Sequence, residues 1–425
     1  MTTRITTDNI TDATIGIADL ASSVPLNTQW QAVKTGNFTA VAGEGYFVNT
    51  TSTAITVTLP ASPSAGDVVV LKDYARTWNT NNVTIASALI DGGTTTTTFS
   101  TNGQTVTLVY MDGTRGWSLI NEDTTTNLGP SFIAATGGTV TTSGDYKIHT
   151  FTGDGCFVVS SLGSNIPCAQ ASIVDYLVVA GGGASGDFFG AGGGAGGFRE
   201  SKDSTVNSPH TASPLAATTG ITVTTTTYPI TVGGGGACVE RPGVKIGNPG
   251  SNSVFSTITS AGGGGGGGGT VPGTPTPGQP GGSGGGGGGY GGTSGTGNTP
   301  PTSPPQGNPG GASPTLGGSG GGGATQAGAN TGPGGGDTKG GDGAGTGINP
   351  SPTVGTPGPS PSLRYFAGGG AGSSTATVAV GGGGGGPGSG YNSPLSDGVA
   401  NTGGGGANES SSGGKGIVIL RYKYQ

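Results

Sequence analysis

Apolar positions along the chain follow three rhythms, and each predicts a different kind of element. In residues 1–29, Ile5, Ile10, Ile15 and Leu20 recur at every fifth position, with Thr, Asp, Asn and Ala between them. Five matches neither the helical period of 3.6 nor the strand period of 2. One apolar residue in five cannot build a core alone, and repeats of this kind bury their apolar side against neighbours. Residues 1–29 are therefore read as a stalk and attachment segment wound with copies of itself as a trimer. The other reading is a loose arm that docks onto another protein.

In residues 30–123 the rhythm changes to alternation. Ile55, Val57 and Leu59 alternate with Thr56 and Thr58, as in a half-buried strand. Val68–Leu71 is a continuous apolar run, which predicts a fully buried strand. Asn102-Gly103 lies between Thr94–Ser100 and Thr105–Met111, and Asp112-Gly113 precedes Gly116–Ile120. Such pairs between apolar runs are hairpin signals. The segment is read as a small antiparallel β-module of about seven strands that helps the trimer form. Trp30, Trp78 and Trp117, the three tryptophans of the chain, are its expected core or interface residues. Residues 124–172 are read as a connector with β-strands. Ile173–Ala180 and Gly416–Tyr424 are the most apolar segments of the second half and are expected to pair as a β-frame.

Between those two segments glycine dominates. Of 98 glycines in 425 residues, 17 lie in residues 1–180 and 81 in the last 245. Collagen needs glycine at every third position, whereas here it comes in unbroken runs such as Gly262–Gly269. Such runs either stay flexible or adopt polyproline-II-type helices that hydrogen-bond to one another, an approach open only to glycine. At ~3.1 Å per residue, eight residues span roughly 25 Å. Segments 270–280, 324–331 and 373–380 between the runs are short, and 293–316, 346–367 and 387–402 are long. Runs passing up and down would gather the long connections at one end. Residues 173–425 are accordingly read as a domain of packed polyglycine-II helices with long loops at one end. The fold class is mostly β with almost no α-helix.

The long connections are rich in Pro, Thr, Ser and Asn, and loops on a rigid scaffold are the usual site of binding. Their candidate contact residues are Thr299, Pro305, Asn308, Pro350, Thr356, Arg364, Tyr365, Phe366, Tyr391 and Asn392. Leu363–Phe366 has a second reading, as the anchor of a loop base.

Composition removes several other functions. A net charge of −6 argues against nucleic acid or an anionic membrane as partner. Cys156, Cys168 and Cys238 are too few and too scattered for a disulfide scaffold or a zinc site. The N-terminus lacks the apolar stretch of a signal peptide, so assembly in a cytoplasm without cleaved export is expected. GxGxxG occurs many times by chance, without the strand-then-helix context that gives it meaning, and no GxxxxGK[ST] is present, since Lys415 is followed by Gly416. Glycan cleavage needs paired carboxylates. Asp337, Asp342, Asp397 and Glu409 stand apart, and Glu44, Asp67, Asp73, Asp91 and Asp112 read as solvated turn residues. His149 and His210 are isolated. No enzyme activity, cofactor or metal is expected.

Residues 29–75 (QWQAVKTGNFTAVAGEGYFVNTTSTAITVTLPASPSAGDVVVLKDYA) and 103–121 (GQTVTLVYMDGTRGWSLIN) resemble the β-module of tail fibres from bacteriophages of marine cyanobacteria and similar hosts. ITTDNITDATIGIADLA at the start resembles the stalk repeats of such trimeric fibres. VDYLVVAGGG (174–183), GAGGFRES (194–201) and GGKGIVILRY (413–422) resemble the glycine-rich domains that end many of them. That domain is similar in kind to the T-even-like phage adhesins, whose polyglycine-II sandwich carries receptor-binding loops. Those adhesins are separate proteins, whereas here the domain is fused to its stalk. The resemblance implies a homotrimeric virion protein, joined to other tail proteins by its N-terminus. It would bind an outer-membrane protein or glycan of the host. The alternatives are a structural fibre or decoration protein with a flexible spacer and, more remotely, an ice-binding polyglycine-II protein.

Overall fold

The computed structural model describes residues 28–86, 88–93, 96–120, 132–163, 171–206, 208–240, 245–269, 274–335, 338–373 and 396–424. Ile5, Ile10, Ile15, Leu20, Cys168, Tyr391 and Asn392 lie outside them. The chain is mostly β-sheet with essentially no helix. It divides into two compact units, which among the described residues are 28–120 and 132–424.

In the first unit the chain forms β1 (Gln29–Lys34), β2 (Phe38–Thr39), β3 (Glu44–Val48), β4 (Ile55–Thr58), β5 (Val68–Asp73) and β6 (Val83–Ile85). It continues with β7 (Thr97–Phe99), β8 (Thr105–Asp112) and β9 (Gly116–Leu119). These strands lie in two sheets of order β1-β3-β5-β8-β9 and β2-β4-β6-β7. The alternating pattern works as expected: Ile55 and Val57 are buried, and Thr58 is exposed. Val48, Leu71, Val83, Ile85, Phe99 and Leu108 share one core. Trp78 and Trp117 belong to that core, whereas Trp30 is 46% exposed.

The pairing differs from a purely antiparallel module. From β1 to β6 the chain alternates between the two sheets, so β1–β3, β3–β5, β2–β4 and β4–β6 pair in parallel. Only β5–β8, β8–β9 and β6–β7 are antiparallel. Asn102-Gly103 is correspondingly a corner between sheets rather than a hairpin, because β7 pairs with β6 and β8 with β5. Asp73 holds this corner: its Oδ2 accepts the Gly103 N–H at 2.8 Å, and its Oδ1 accepts the Arg76 N–H at 2.9 Å. Asp73 is therefore buried, not the solvated turn residue its setting suggested.

The second unit begins with β10 (Ala134–Thr136), β11 (Thr139–Ser143), β12 (Tyr146–Phe151) and β13 (Gly155–Ser161). Next come β14 (Ile173–Val179), β15 (Phe198–Ser201), β16 (Ala216–Ala217), β17 (Ile221–Thr222) and β18 (Thr227–Thr231). The last are β19 (Ser253–Phe255), β20 (Ile258–Ser260), β21 (Ala344–Thr346), β22 (Arg364–Phe366) and β23 (Ile417–Lys423). The segment read as a connector supplies β10–β13, and these belong to this unit: β12 pairs with β23, and β13 with β18. The frame strands β14 and β23 are antiparallel neighbours, with Asp175 opposite Arg421 and Val179 opposite Ile417. Both of their faces are covered. Tyr176, Val178, Val418 and Leu420 pack into one apolar cluster, and Leu177, Val179, Ile417 and Ile419 into another. That is why their sequences are almost continuously apolar.

The glycine runs form extended rods with a three-residue period of lateral hydrogen bonds, the repeat of a polyproline-II helix. In the rod 180–186, Gly181 and Ala184 donate to Ser251 and Asn248, Gly182 and Ser185 to Gly414 and Ser411, and Gly183 and Gly186 to Gly194 and Ala191. The same rod accepts bonds from Gly263, Gly266, Gly236 and Gly406. Its neighbours thus surround it, and every donor finds an acceptor without a sheet. Close approach is the reason for glycine here. A Cβ on Gly193 would sit 2.0 Å from the Gly183 carbonyl oxygen, and one on Gly182 would sit 2.1 Å from that of Gly404.

Successive rods run in opposite directions, but the runs and connections are not those the glycine count suggests. Residues 276–279 and 326–329, within segments read as short connections, are rods themselves: Gln279 donates to Gly265, and Gly320 to Ala329. Within the long segment 293–316, residues 308–311 also form a rod, accepting from Gly284 and Gly287. Proline is compatible with this geometry because its φ is already that of the rod and it lacks only a donor.

Candidate functional site

Rod direction gives the second unit two different ends. The described strands β14, β15, β18–β20, β21–β23 continue rods at one end, here the sheet end. Residues 198–232, 252–261, 298–305 and 343–366 are excursions from that end. At the opposite turn end, short reversals at 187–189, 290–291, 312–317 and 407–410 join the rods. Ser373 and Ser396, which flank the segment containing Tyr391 and Asn392, also lie at the turn end. The chain enters the unit at Phe132 and leaves at Tyr424 among the sheets.

The other candidate contact residues therefore lie at or next to the sheet end, and several are structural. Thr299 and Pro305 are exposed on the loop 298–305. Asn298 Oδ1 fixes this loop by accepting the N–H groups of Thr302 and Gln306 at 3.0 and 3.2 Å. Asn308 is half-buried in a rod, with Nδ2 donating to the Ala324 carbonyl at 2.9 Å. Thr356 and Tyr365 exchange backbone hydrogen bonds. Arg364 Nε and Nη2 donate to the carbonyls of Val354 and Gly355 at 2.6 and 2.8 Å. Phe366 is buried in the apolar cluster with Leu177 and Ile419. Leu363–Phe366 thus anchors the base of its excursion, and Pro350 remains exposed.

Sequence reasoning missed the aromatic residues that gather at the turn end. Phe188 and Phe189 meet edge to face at 5.2 Å between ring centroids, and Phe189 meets Tyr290 in the same way at 5.6 Å. All three take positive φ (49°, 48° and 70°), which is rare and costly for bulky side chains. Their backbone is held from several sides. Glu409 Oε1 accepts the Phe189 N–H at 2.6 Å, Asp187 Oδ1 accepts the Phe188 N–H at 2.8 Å, and Tyr290 donates to the Thr315 carbonyl at 2.9 Å. Phe188 stays 37% exposed and nearby Leu316 38%. The available signal was FF and a lone Tyr set between glycine runs, where a short turn has no core in which to bury them.

A second polar group lies under the sheet end. Asp175 on β14 is buried, and its Oδ1 accepts the Asp203 N–H at 2.8 Å. Burial pushes its carboxyl up to about 7. Glu200 is raised by burial too, and accepts from Ser213 N–H at 2.9 Å and the Thr346 hydroxyl at 2.5 Å. His210 is pushed down to about 3 by burial, aided by the charges of Arg421 and Lys202. It is therefore neutral at pH 7 and too weak to serve as a general base. His149 has both ring nitrogens occupied, by Gly137 O at 2.7 Å and Tyr422 Oη at 3.0 Å, as a core histidine should.

Among the described residues no group of His, Cys, Asp or Glu could hold a metal, and no helix is long and apolar enough to cross a membrane. Cys156 and Cys238 are free and exposed.

The second unit is a slab of polyglycine-II rods closed at one end by sheets. The model of the glycine-rich domain family matches residues 159–423, and the chain belongs to that family. No curated protein matches the chain.

Proposed function

We propose that the protein is the receptor-binding tail fibre of a bacteriophage. Three copies associate through the N-terminal segment, which joins the virion, and the turn end of each glycine-rich unit meets the host cell surface. The observation that carries this reading is polarity. The chain enters the slab from the sheet end, and the opposite end presents Phe188 and Leu316, which are 37% and 38% exposed. The lateral hydrogen bonds speak against a flexible spacer, because they give the turn end a rigid base. The reading also draws on the resemblance of residues 29–75 and 103–121 to phage fibre modules. A rigid scaffold carrying exposed turns suits recognition, and aromatic side chains suit contact.

The test is competition for adsorption. Purified protein should block infection of a susceptible host. Replacing Phe188 and Leu316 by Ser should reduce that block at least tenfold, whereas replacing Thr299 and Pro305 by Ser should leave it unchanged. Failure to bind any susceptible cell, or full activity of the turn-end variant, would remove the proposal.

A further inference from the structure

At the sheet end, a cleft of about 210 Å³ is lined by His210, Arg421, Ser143, Thr211, Ser362 and Pro350, among others. Two of these residues are conspicuous for what they lack. Arg421 on β23 is only 2% exposed, and His210 only 6%. The Arg421 guanidinium donates from Nη1 to the Ile348 carbonyl at 3.0 Å and lies over the Tyr146 ring at 4.9 Å, but its Nε has no partner. His210 Nδ1 is engaged with the Ser208 hydroxyl at 2.7 Å, and its Nε2 has no partner. Buried polar nitrogens are almost always satisfied. Here two are unpartnered, both on side chains that line one cleft.

We propose that this cleft binds a small ligand through an oxyanion, a carboxylate, sulfate or phosphate group, received by Arg421 and His210. Arginine suits that role because its planar fork matches two oxyanion oxygens. Among the described residues Arg421 forms no ion pair. Asp175 is its register partner across β14 and β23, but burial raises that carboxyl to about 7, so at neutral pH it carries only part of a charge. Glu200 is turned to Ser213 and Thr346. Lys202 Nζ donates to the His210 carbonyl at 2.5 Å and adds positive charge beside the ring. Ser143, Thr211 and Ser362 offer hydroxyls to the rest of a polar ligand, and the volume admits about one sugar ring or a free anion rather than a drug-sized molecule. The inference is independent of what the turn end binds.

The experiment is calorimetric titration of the full-length protein, at constant ionic strength, with sodium sulfate, sodium phosphate, glucuronate and neutral glucose. Saturable binding of at least one anion is expected, with none for glucose. Sulfate or phosphate as tight as glucuronate identifies the free oxyanion as the ligand, and glucuronate at least tenfold tighter identifies an acidic sugar. Ser362 is exposed, so Ser362→Asp places a carboxylate at the rim without touching the buried groups, and it should weaken binding at least tenfold. His210→Gln should weaken it severalfold. Should that variant not fold, Ser362→Asp still decides. No saturable anion binding, equal binding of glucose, or an unaffected Ser362→Asp overturns the proposal.

Discussion

The two units solve the same problem, a chain with few charges and modest hydrophobicity, by opposite means. In residues 28–120, alternate side chains of two sheets meet in one apolar core around Trp78, Leu71 and Phe99. In the slab, interior positions such as Gly182, Gly193 and Gly321 have no side chain to bury. There the backbone itself is the packing surface, and successive N–H groups bond to different neighbours. The first arrangement tolerates exchange of one apolar residue for another of like size. The second tolerates no added atom where carbonyl oxygens already occupy the Cβ position. Substitution should therefore separate the two units cleanly.

The largest effect is expected from Gly193→Val. Its Cβ would lie 2.0 Å from the Gly183 oxygen, against backbone that cannot yield without breaking neighbouring rods. We expect a loss of about 5 kcal/mol or more, among the largest single-residue effects known. Hydrogen exchange should show residues 180–416 unprotected while residues 44–119 keep their protection. Protection of both regions in this variant would contradict the account of the slab.

Much of this division is legible in the sequence, and the parts that are not have physical causes. Alternation at Ile55–Leu59 identifies a buried strand face, and the apolar runs 173–180 and 416–424 identify the frame, because burial leaves a mark on composition. Pairing direction leaves none. Asn102-Gly103 signals a turn, but whether the following strand returns beside its predecessor or crosses to another sheet depends on Asp73, distant in sequence. Proline concealed the rods at 276–279 and 308–311, since Pro277 and Pro309 look like loop residues although the rod conformation suits them. Among the candidate contact residues, the buried Phe366 was indistinguishable from a surface aromatic, because both interrupt a polar stretch.

Trp78→Ala is the counterpart in the first unit. The indole is fully buried, stacks near Phe99 at 6.2 Å between ring centroids and donates from Nε1 to the Val48 carbonyl at 3.4 Å. Removing it should cost about 3–5 kcal/mol. Chemical denaturation should show the loss in the transition of residues 28–120 only, with rod protection unchanged. A parallel loss in the slab would mean that the two units do not unfold separately.

A smaller effect concerns pH. Asp175, raised from 3.8 to about 7, keeps a proton in the folded state that the unfolded chain gives up, so its contribution falls as pH rises between those values. His210, lowered from 6.5 to about 3, does the reverse: the unfolded chain binds the extra proton, and stability rises with pH across that window. From about pH 4 to pH 6.5 the two oppose each other, with Glu200, also raised by burial, on the side of Asp175. Asp175→Asn removes the Asp175 contribution. Relative to the native protein, its stability should climb by about 1.4 kcal/mol per pH unit through the same range. Equal slopes for the variant and the native protein would show that Asp175 does not carry the falling limb.

The smallest effect on the isolated fold is expected from Trp30→Ala, and its interest lies in assembly. Trp30 sits on β1, the outermost strand of its sheet, and its ring stacks on Phe47 at 4.6 Å between centroids while remaining 46% exposed. Val33 on the same strand is 39% exposed. Among the described residues no strand pairs with the outer edge of β1; such an edge with large apolar side chains invites pairing, and in the proposed trimer the other copies would cover it. For a single chain, loss of the stacking should cost about 1 kcal/mol or less. In a trimer the same substitution removes a contact from each copy at once. The native mass measured across a dilution series should then shift toward monomer at concentrations where the unmodified protein stays trimeric. An unmodified protein that is monomeric throughout would end the trimer proposal. An unaltered trimer in the variant would place its contacts elsewhere, in the five-residue repeat of residues 1–29.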